Sequence, residues 1–139
     1  MNTEIETVKF EFPQGLFGFE SYTKFSLIEA EYKPFYWLQS EQDKTLSFLV
    51  VDPFIFFDDY ELDIDDNSLK SIGVSSPSDV VVMTIITIPG NNEKITANLQ
   101  GPLIINKTNN LGMQFVLSDP KWTTKHELVA ERTKEGDKC

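Results

Sequence analysis

Residues 80–117, VVVMTIITIPGNNEKITANLQGPLIINKTNNLGMQFVL, alternate short apolar runs with turn-forming residues. The first run, residues 80–88, is mostly β-branched and ends at a Pro-Gly pair, which is typical of a strand. Asn91 and Asn92 favour a turn into a second alternating run, and residues 109–112 favour another turn. This stretch therefore predicts successive hairpins, with residues 80–88 as the central strand.

The first third of the chain has the same character. Residues 8–12 place apolar side chains at every second position, as a strand with one buried face requires. Residues 24–29, 35–40 and 46–51 are further short runs rich in aliphatic or aromatic side chains. Strands at a spacing of about 8 to 12 residues predict an all-β fold, a small antiparallel barrel-like domain or a sandwich.

Helix signals are few. Asp65 or Asp66 is suited to cap a short helix in which Leu69 and Ile72 share a face, and Gly73 is suited to end it. Residues 125–132 suggest a second, terminal helix. We therefore expect one or two short helices beside the strands.

The length of 139 residues fits one domain, which we assign to residues 1–132. The polar residues 133–139 lack periodicity and predict a disordered tail. No amino-terminal apolar run indicates a secretory signal, and no run approaches the roughly 20 residues of a membrane-spanning helix. The single cysteine, Cys139, excludes an intrachain disulfide. Together these features predict a cytoplasmic protein that does not cross a membrane.

The charge of the chain limits its partners. A net charge of −10 repels phosphate backbones, so direct nucleic-acid binding is disfavoured. The same negative field accelerates the approach of a basic protein, an effect that salt weakens. A basic protein partner is the natural inference.

Signals for catalysis or cofactors are weak. One His and one Cys are too few for a zinc site, and His126 lacks a recognisable nucleophile motif nearby. An EF-hand loop starting at Asp59 fails, because Ile64 stands where Gly is needed and Lys70 where Glu is needed. We therefore predict no metal, no cofactor and no enzyme activity. The alternative is a small-ligand barrel or hydrolase that uses some pair among the 22 acidic residues.

The densest charge run has six acidic residues within nine positions and no base between them, namely Asp58, Asp59, Glu61, Asp63, Asp65 and Asp66. It follows a hydrophobic knot at residues 53–57. One interpretation is a solvated loop that only maintains solubility, and the other is an electrostatic docking edge for a cationic partner. The aromatic side chains of the knot are expected in the core more often than at an interface.

Several segments resemble the FliW family of bacterial flagellar assembly factors. The most specific is FLVVDPFIFFDDYELDI at residues 48–64, a strand followed by a Pro-aromatic turn and an acidic-Tyr sequence. The others, in family order, are FPQGLFGFE (12–20), FYWLQS (35–40), SPSDVVVMTIITIP (76–89), NLQGPLIIN (98–106) and GMQFVL (112–117). Gly101 departs from the frequent Ala before Pro, and the residues from Lys121 onward match only loosely.

The resemblance implies two linked partners, flagellin and the RNA-binding translational repressor CsrA. In the family scheme, FliW binds CsrA and relieves repression of flagellin mRNA, while unassembled flagellin withdraws FliW. Relief by covering the RNA site and relief by binding elsewhere both remain open, and the resemblance favours the second. Flagellin segments are expected to dock in an apolar groove or on a sheet edge. A chaperone for flagellin alone is the alternative.

We therefore assign the partner-binding surface to the acidic run and the aromatic residues beside it. The acidic residues are expected to steer a basic partner, and the aromatic residues to shape the neighbouring surface. The residues assigned are Phe56, Phe57, Asp58, Asp59, Tyr60, Glu61 and Asp63.

Overall fold

A computed structural model describes residues 8–90 and 94–128 of the chain. Strands dominate this part, together with one short α-helix and two 3-10 turns. The strands are β1 (Val8–Glu11), β2 (Lys24–Glu29), β3 (Tyr36–Ser40), β4 (Ser47–Val51), β5 (Val80–Thr87), β6 (Thr96–Ala97), β7 (Leu103–Asn106), β8 (Leu111–Gln114) and β9 (His126–Glu127). The helix is α1 (Asp66–Ser71), and the 3-10 turns are Pro53–Ile55 and Pro77–Asp79.

Seven strands close into a barrel. Their order is β4-β3-β2-β1-β8-β7-β5, and pairing between β4 and β5 completes the ring. The pairings are antiparallel except that β1 meets β8 in parallel at Glu11 and Leu111. Strands β6 and β9 continue the sheet beyond β5. The prediction of an all-β, mainly antiparallel barrel-like domain is confirmed.

Strand positions agree with most of the apolar runs, with two exceptions. The turn expected at residues 109–112 is wrong for Leu111 and Gly112, which already belong to β8 because residues 111–114 pair with β7. The alternating residues 95–99 form only the two-residue strand β6. The backbone N–H groups of Leu99 and Gln100 instead donate to the carbonyl of Thr123, in the carboxyl-terminal segment. The chain leaves the strand there because a distant segment provides the hydrogen bonds.

Helix α1 forms where its capping signals predicted. The Asp65 side chain accepts a hydrogen bond of 3.0 Å from the Ser68 N–H, which satisfies one of the free donors at the helix start. Gly73 follows the helix with a φ of +77°, a conformation that glycine adopts without steric cost. No helix in the described part of the chain is long and apolar enough to cross a bilayer.

The predicted terminal helix at residues 125–132 is wrong for residues 125–128. His126 and Glu127 form β9 and pair with Ala97 and Thr96 of β6, and Leu128 is buried. Its N–H donates to the carbonyl of Ile95. Sheet pairing therefore overrides the local helical preference. Residues 129–132 and the predicted disordered tail at 133–139 lie outside the described residues.

The barrel interior, which we call the inner core, is filled by side chains from the strands and from the loop after β1. Phe12 and Phe25 are fully buried, and their rings meet edge to face with centroids 5.7 Å apart. Gly112 of β8 lies directly against Phe12, where a Cβ would approach the ring to 2.7 Å. The other buried members are Phe10, Leu16, Leu38, Val50, Met83, Leu103 and Ile105.

A second cluster, the outer core, lies on the outer face of the same sheet. Strand β5 serves both cores, with Val81 and Met83 facing inward and Val82 and Ile86 facing outward. This explains why its sequence is mostly apolar at successive positions instead of alternating. Residues 53–74 and 115–128 cover the outer face. The buried members are Val51, Phe57, Tyr60, Ile72, Val82, Ile86, Ala97, Leu99, Ile104, Leu117, Trp122 and Leu128.

Candidate partner-binding surface

The acidic run lies on the segment that leaves β4 and crosses the outer face of the barrel. We define residues 58–66 as the acidic segment. All six of its carboxylate side chains are exposed, whereas Tyr60 is buried and Leu62 and Ile64 are half-buried. Residues 60–65 thus alternate as a strand does, although they pair with no strand. The alternation directs the carboxylates to solvent and the apolar side chains to the outer core.

Two assigned aromatic residues anchor this segment. Tyr60 is 3% exposed, and its hydroxyl donates a hydrogen bond of 2.6 Å to the carbonyl of Leu99. Its ring meets that of Trp122 edge to face at 4.9 Å, and the Phe57 ring meets His126 at 5.2 Å. Burial raises the pKa of Tyr60 above its ordinary value. Phe57 and Tyr60 are therefore buried supports that hold the acidic residues in place.

Phe56 is half-buried, and its ring stacks on Phe35 with centroids 6.0 Å apart. Phe54 and Ile55, just before it, are 42% and 46% exposed. The sequence assignment did not include these two residues. Part of the hydrophobic knot thus lies at the surface beside the acidic segment.

One basic residue contacts the acidic segment through an ion pair. Lys121 Nζ lies 2.9 Å from Asp59 Oδ2 and 4.8 Å from the centre of the Trp122 ring. The hydrogen bond from Lys121 lowers the pKa of Asp59. Neither ion pair found among the described residues includes Asp58, Glu61 or Asp63. Within residues 8–90 and 94–128, no ion pair therefore neutralises the exposed carboxylates of Asp58, Glu61 and Asp63.

A groove of about 840 Å³, which we call the apolar groove, lies between the acidic segment, α1, residues 74–77 and the outer face of β5. Its walls are mostly apolar, with two charged side chains among them, and the residues are Phe54, Leu62, Ile64, Asp66, Leu69, Lys70, Val74, Ser75, Ser76, Pro77, Val80 and Val82. The sequence analysis missed it, although the period of two in residues 60–65 was a usable signal.

The remaining candidates for catalysis or metal binding are His126 and a depression lined by carboxylates. His126 is half-buried against Phe57 and Trp122, so its surroundings are aromatic. A smaller depression of about 350 Å³ combines Glu61, Asp63 and Asp119 with Leu62, Leu117 and Ser118. Within residues 8–90 and 94–128, no three His, Cys, Asp or Glu side chains are grouped to hold a metal ion.

Comparison with known proteins gives consistent matches over nearly the whole chain. A family model described as "FliW protein" matches residues 1–128. The chain is 51% identical to the flagellar assembly factor FliW of Treponema denticola over 126 residues, covering 91% of this chain and 86% of the relative. It is 51% identical to that of Treponema pallidum over 118 residues, covering 85% and 79%.

The fold agrees with a solved structure as well. A crystal structure of the flagellar assembly factor FliW superimposes with a TM-score of 0.80 at 37% identity, covering 92% of this chain and 89% of the other. The superposition therefore includes most of both chains.

Proposed function

Because the chain belongs to the FliW family of flagellar assembly factors, we propose that it binds flagellin and the translational repressor CsrA in the cytoplasm. It acts as a binding protein without a catalytic step. Bound to CsrA, it relieves repression of flagellin mRNA, and unassembled flagellin competes for it. Flagellin synthesis thereby follows flagellin export.

The observation that carries this proposal is the acidic segment, whose carboxylates all face solvent on a buried aromatic support. A repressor that binds RNA needs cationic surface, and this chain has the opposite charge. Complementary charge raises the rate of encounter and orients the partners. The acidic segment is therefore suited to guide CsrA.

The residues divide into two roles. Asp58, Asp59, Glu61 and Asp63 provide the field that attracts a basic partner. Phe57 and Tyr60 are buried, and we infer that they contribute by positioning these carboxylates. Phe56 is half-buried and borders the exposed part of the hydrophobic knot.

The test is to neutralise four carboxylates together, as Asp58→Asn, Asp59→Asn, Glu61→Gln and Asp63→Asn. We expect association with CsrA to slow by about tenfold at low salt, with a flatter dependence on salt, since steering is screened by ions. Stopped-flow or surface-binding kinetics with purified proteins over a range of salt concentrations measures this.

The matched control removes the same number of negative charges outside the acidic segment. Its substitutions are Glu11→Gln, Glu20→Gln, Glu29→Gln and Glu31→Gln, all at exposed positions. If both quadruple variants slow association equally, net charge and not the acidic segment is responsible. Mixing the protein with flagellin and CsrA, separately and then together, tests the linkage. Binding to flagellin alone would reduce the function to that of a flagellin chaperone.

A further inference from the structure

We propose that Asp59 and the Trp122 ring form a recognition site for an arginine side chain of a protein partner, and that Lys121 fills this site in the free chain. We call it the cation subsite. It deepens the proposed function and rests on it, because it is the point at which a basic partner replaces a cation of this chain. None of its three residues lines the apolar groove.

The cation of Lys121 is held from two sides. Its Nζ lies 2.9 Å from Asp59 Oδ2 and 4.8 Å from the centre of the Trp122 ring. A carboxylate beside the face of an indole ring binds ammonium and guanidinium groups, because the ring face is negative as well. Lys121 therefore shows which kind of group fits this position.

The ring of the subsite is fixed, whereas the lysine side chain is exposed. Trp122 is 3% exposed, its ring meets that of Tyr60 edge to face, and its N–H donates to the carbonyl of Asp119. The side chains of Lys121 and Asp59 are 55% and 64% exposed. Exposed ion pairs are weak, because water competes for both charges and the long side chain loses freedom. A partner can therefore displace Lys121 without disturbing the buried ring.

The surroundings keep the subsite attractive to a cation after Lys121 leaves. The hydrogen bond to Asp59 raises the pKa of Lys121, and the charges of Asp119 and Glu61 add to this effect. All three carboxylates are exposed, and neither ion pair in the described part of the chain includes Glu61 or Asp119. The position beside the ring therefore favours another basic group over water or an anion.

A guanidinium group suits the subsite better than an ammonium group does. It is planar, stacks on an aromatic face and donates two parallel hydrogen bonds to one carboxylate. An ammonium group is a more strongly hydrated point charge. An arginine of the partner therefore improves on the contact that Lys121 makes, whereas a lysine of the partner only exchanges one ammonium group for another.

The experiment uses the full-length chain and two fluorescein-labelled peptides of equal length, one repeating Arg-Gly and the other repeating Lys-Gly. The peptides carry the same charge and differ only in the cationic group. Fluorescence anisotropy at low salt measures their affinities. We expect the Arg peptide to bind about threefold more tightly, because only guanidinium combines stacking with a bidentate contact.

Lys121→Gln removes the internal cation, and Lys44→Gln is its matched control. Both variants lose one positive charge, and Lys44 is exposed between β3 and β4 and takes part in neither ion pair of the described residues. We expect Lys121→Gln to bind the Arg peptide about threefold more tightly than Lys44→Gln does, because no cation has to be displaced. In an Asp59→Asn background the two substitutions should have equal effects. Thermal unfolding checks that each variant is folded.

Fluorescence of Trp122 follows the exchange at the ring itself. In a Trp37→Phe background, Trp122 is the one remaining Trp of the chain. We expect the Arg peptide to change Trp122 emission when Asp59 is present, because one cation replaces another at the ring face. With Asp59→Asn the change should be smaller. An equal change in both would place the peptide elsewhere and contradict the cation subsite.

The cation subsite is also wrong if Lys121→Gln binds no more tightly than Lys44→Gln, or if its gain persists with Asp59→Asn. Weaker binding of Lys121→Gln would make Lys121 a support of the acidic segment instead. Equal affinities of the two peptides would overturn the assignment to arginine.

Flagellin and CsrA, measured with the same variants, separate the cation subsite from the proposed function. If the proteins bind the parent chain but Lys121→Gln and Lys44→Gln behave alike with proteins and peptides, the function stands and the subsite fails. If the peptides behave as expected while neither protein binds, the subsite stands and the function fails.

Discussion

The inner and outer cores share strands β4, β5 and β7 but differ in what encloses them. The inner core is closed by the ring of strands itself, so backbone pairing and side-chain packing support each other. The outer core is covered by residues 53–74 and 115–128, most of which form no regular structure. These covering segments depend on individual contacts, such as the hydrogen bond from Tyr60 to Leu99.

Because they are enclosed differently, the two cores have different roles: the inner core stabilises the fold, and the outer core supports the binding surface. The inner core has nothing to present to a partner, because its side chains face the barrel interior. The outer core supports both the acidic segment and the apolar groove. Segments without ladder pairing are also more easily reshaped, and binding residues are often found on such segments above a rigid scaffold. Changes in the two cores should therefore have different sizes and different consequences.

The largest effect is expected in the inner core, from Phe12→Ala. Phe12 is fully buried against Phe25 and Gly112, so truncation leaves a cavity inside a closed barrel. We expect the free energy of unfolding to fall by about 3–5 kcal/mol, a large fraction of the total for a small domain. Urea denaturation followed by far-ultraviolet circular dichroism measures it.

Phe17→Ala is the control for that substitution. Phe17 is 56% exposed in the loop after β1, so its loss should change stability by about 0.5 kcal/mol or less. Similar losses for Phe12→Ala and Phe17→Ala would contradict the identification of the barrel interior as the main source of stability.

An intermediate effect is expected in the outer core, from Tyr60→Phe. The substitution keeps the ring but leaves the buried Leu99 carbonyl without its donor, which lowers the free energy of unfolding by about 1–3 kcal/mol.

The order in which the two cores unfold can be followed by tryptophan fluorescence. The chain has two Trp residues, of which Trp122 contacts the Tyr60 ring and Trp37 lies on β3. In a Trp37→Phe background, Trp122 fluorescence should change at lower urea than circular dichroism does. Coincident transitions would mean that the two cores unfold as one unit.

The same hydroxyl predicts a dependence on alkaline pH. Burial raises the pKa of Tyr60, so above about pH 10 the unfolded chain loses this proton while the folded chain keeps it. The contribution of the neutral hydroxyl is fully present below that pH. As the pH rises above it, the free energy of unfolding falls by about 1.4 kcal/mol per pH unit. Tyr60→Phe lacks this slope, so the difference in the free energy of unfolding between the parent chain and Tyr60→Phe should narrow as the pH rises above about 10. If the free energy of unfolding of the two proteins changes with pH in parallel, the raised pKa of Tyr60 is contradicted.

The smallest effect is expected from Asp65→Ala, at the edge of the outer core. Asp65 caps α1, and hydrogen bonds from Ser68 lower its pKa. Its contribution is therefore present above the ordinary carboxyl pKa and is lost as the pH falls through the lowered one. We expect Asp65→Ala to lower the melting temperature less than Tyr60→Phe does. The difference between Asp65→Ala and the parent chain should disappear in acid. Asp63→Ala, which removes a carboxylate without a cap, is the control, and equal losses would exclude a capping role.

Local patterns predicted most of the regular structure. The apolar runs at residues 24–29, 35–40 and 46–51 became β2, β3 and β4 within one residue at each end. The cap at Asp65 and the stop at Gly73 placed α1 correctly. These signals are readable because strand period, capping and positive φ depend on neighbouring residues alone. The helix expected at residues 125–132 failed over its described part, because β6 provides a pairing partner that its own sequence does not reveal.

Composition and order of residues by themselves determined an acidic, all-β chain with a concentrated carboxylate run. Only the tertiary structure decided that Glu11 of β1 pairs in parallel with Leu111 of β8, and that Phe57 and Tyr60 are buried while Phe54 is exposed. It also decided that Leu69, Val80 and Val82 share one groove with the acidic segment. The physical reason is separation along the chain. A repeating pattern reports which face of a segment is apolar, whereas which distant segment covers that face depends on closure of the whole sheet.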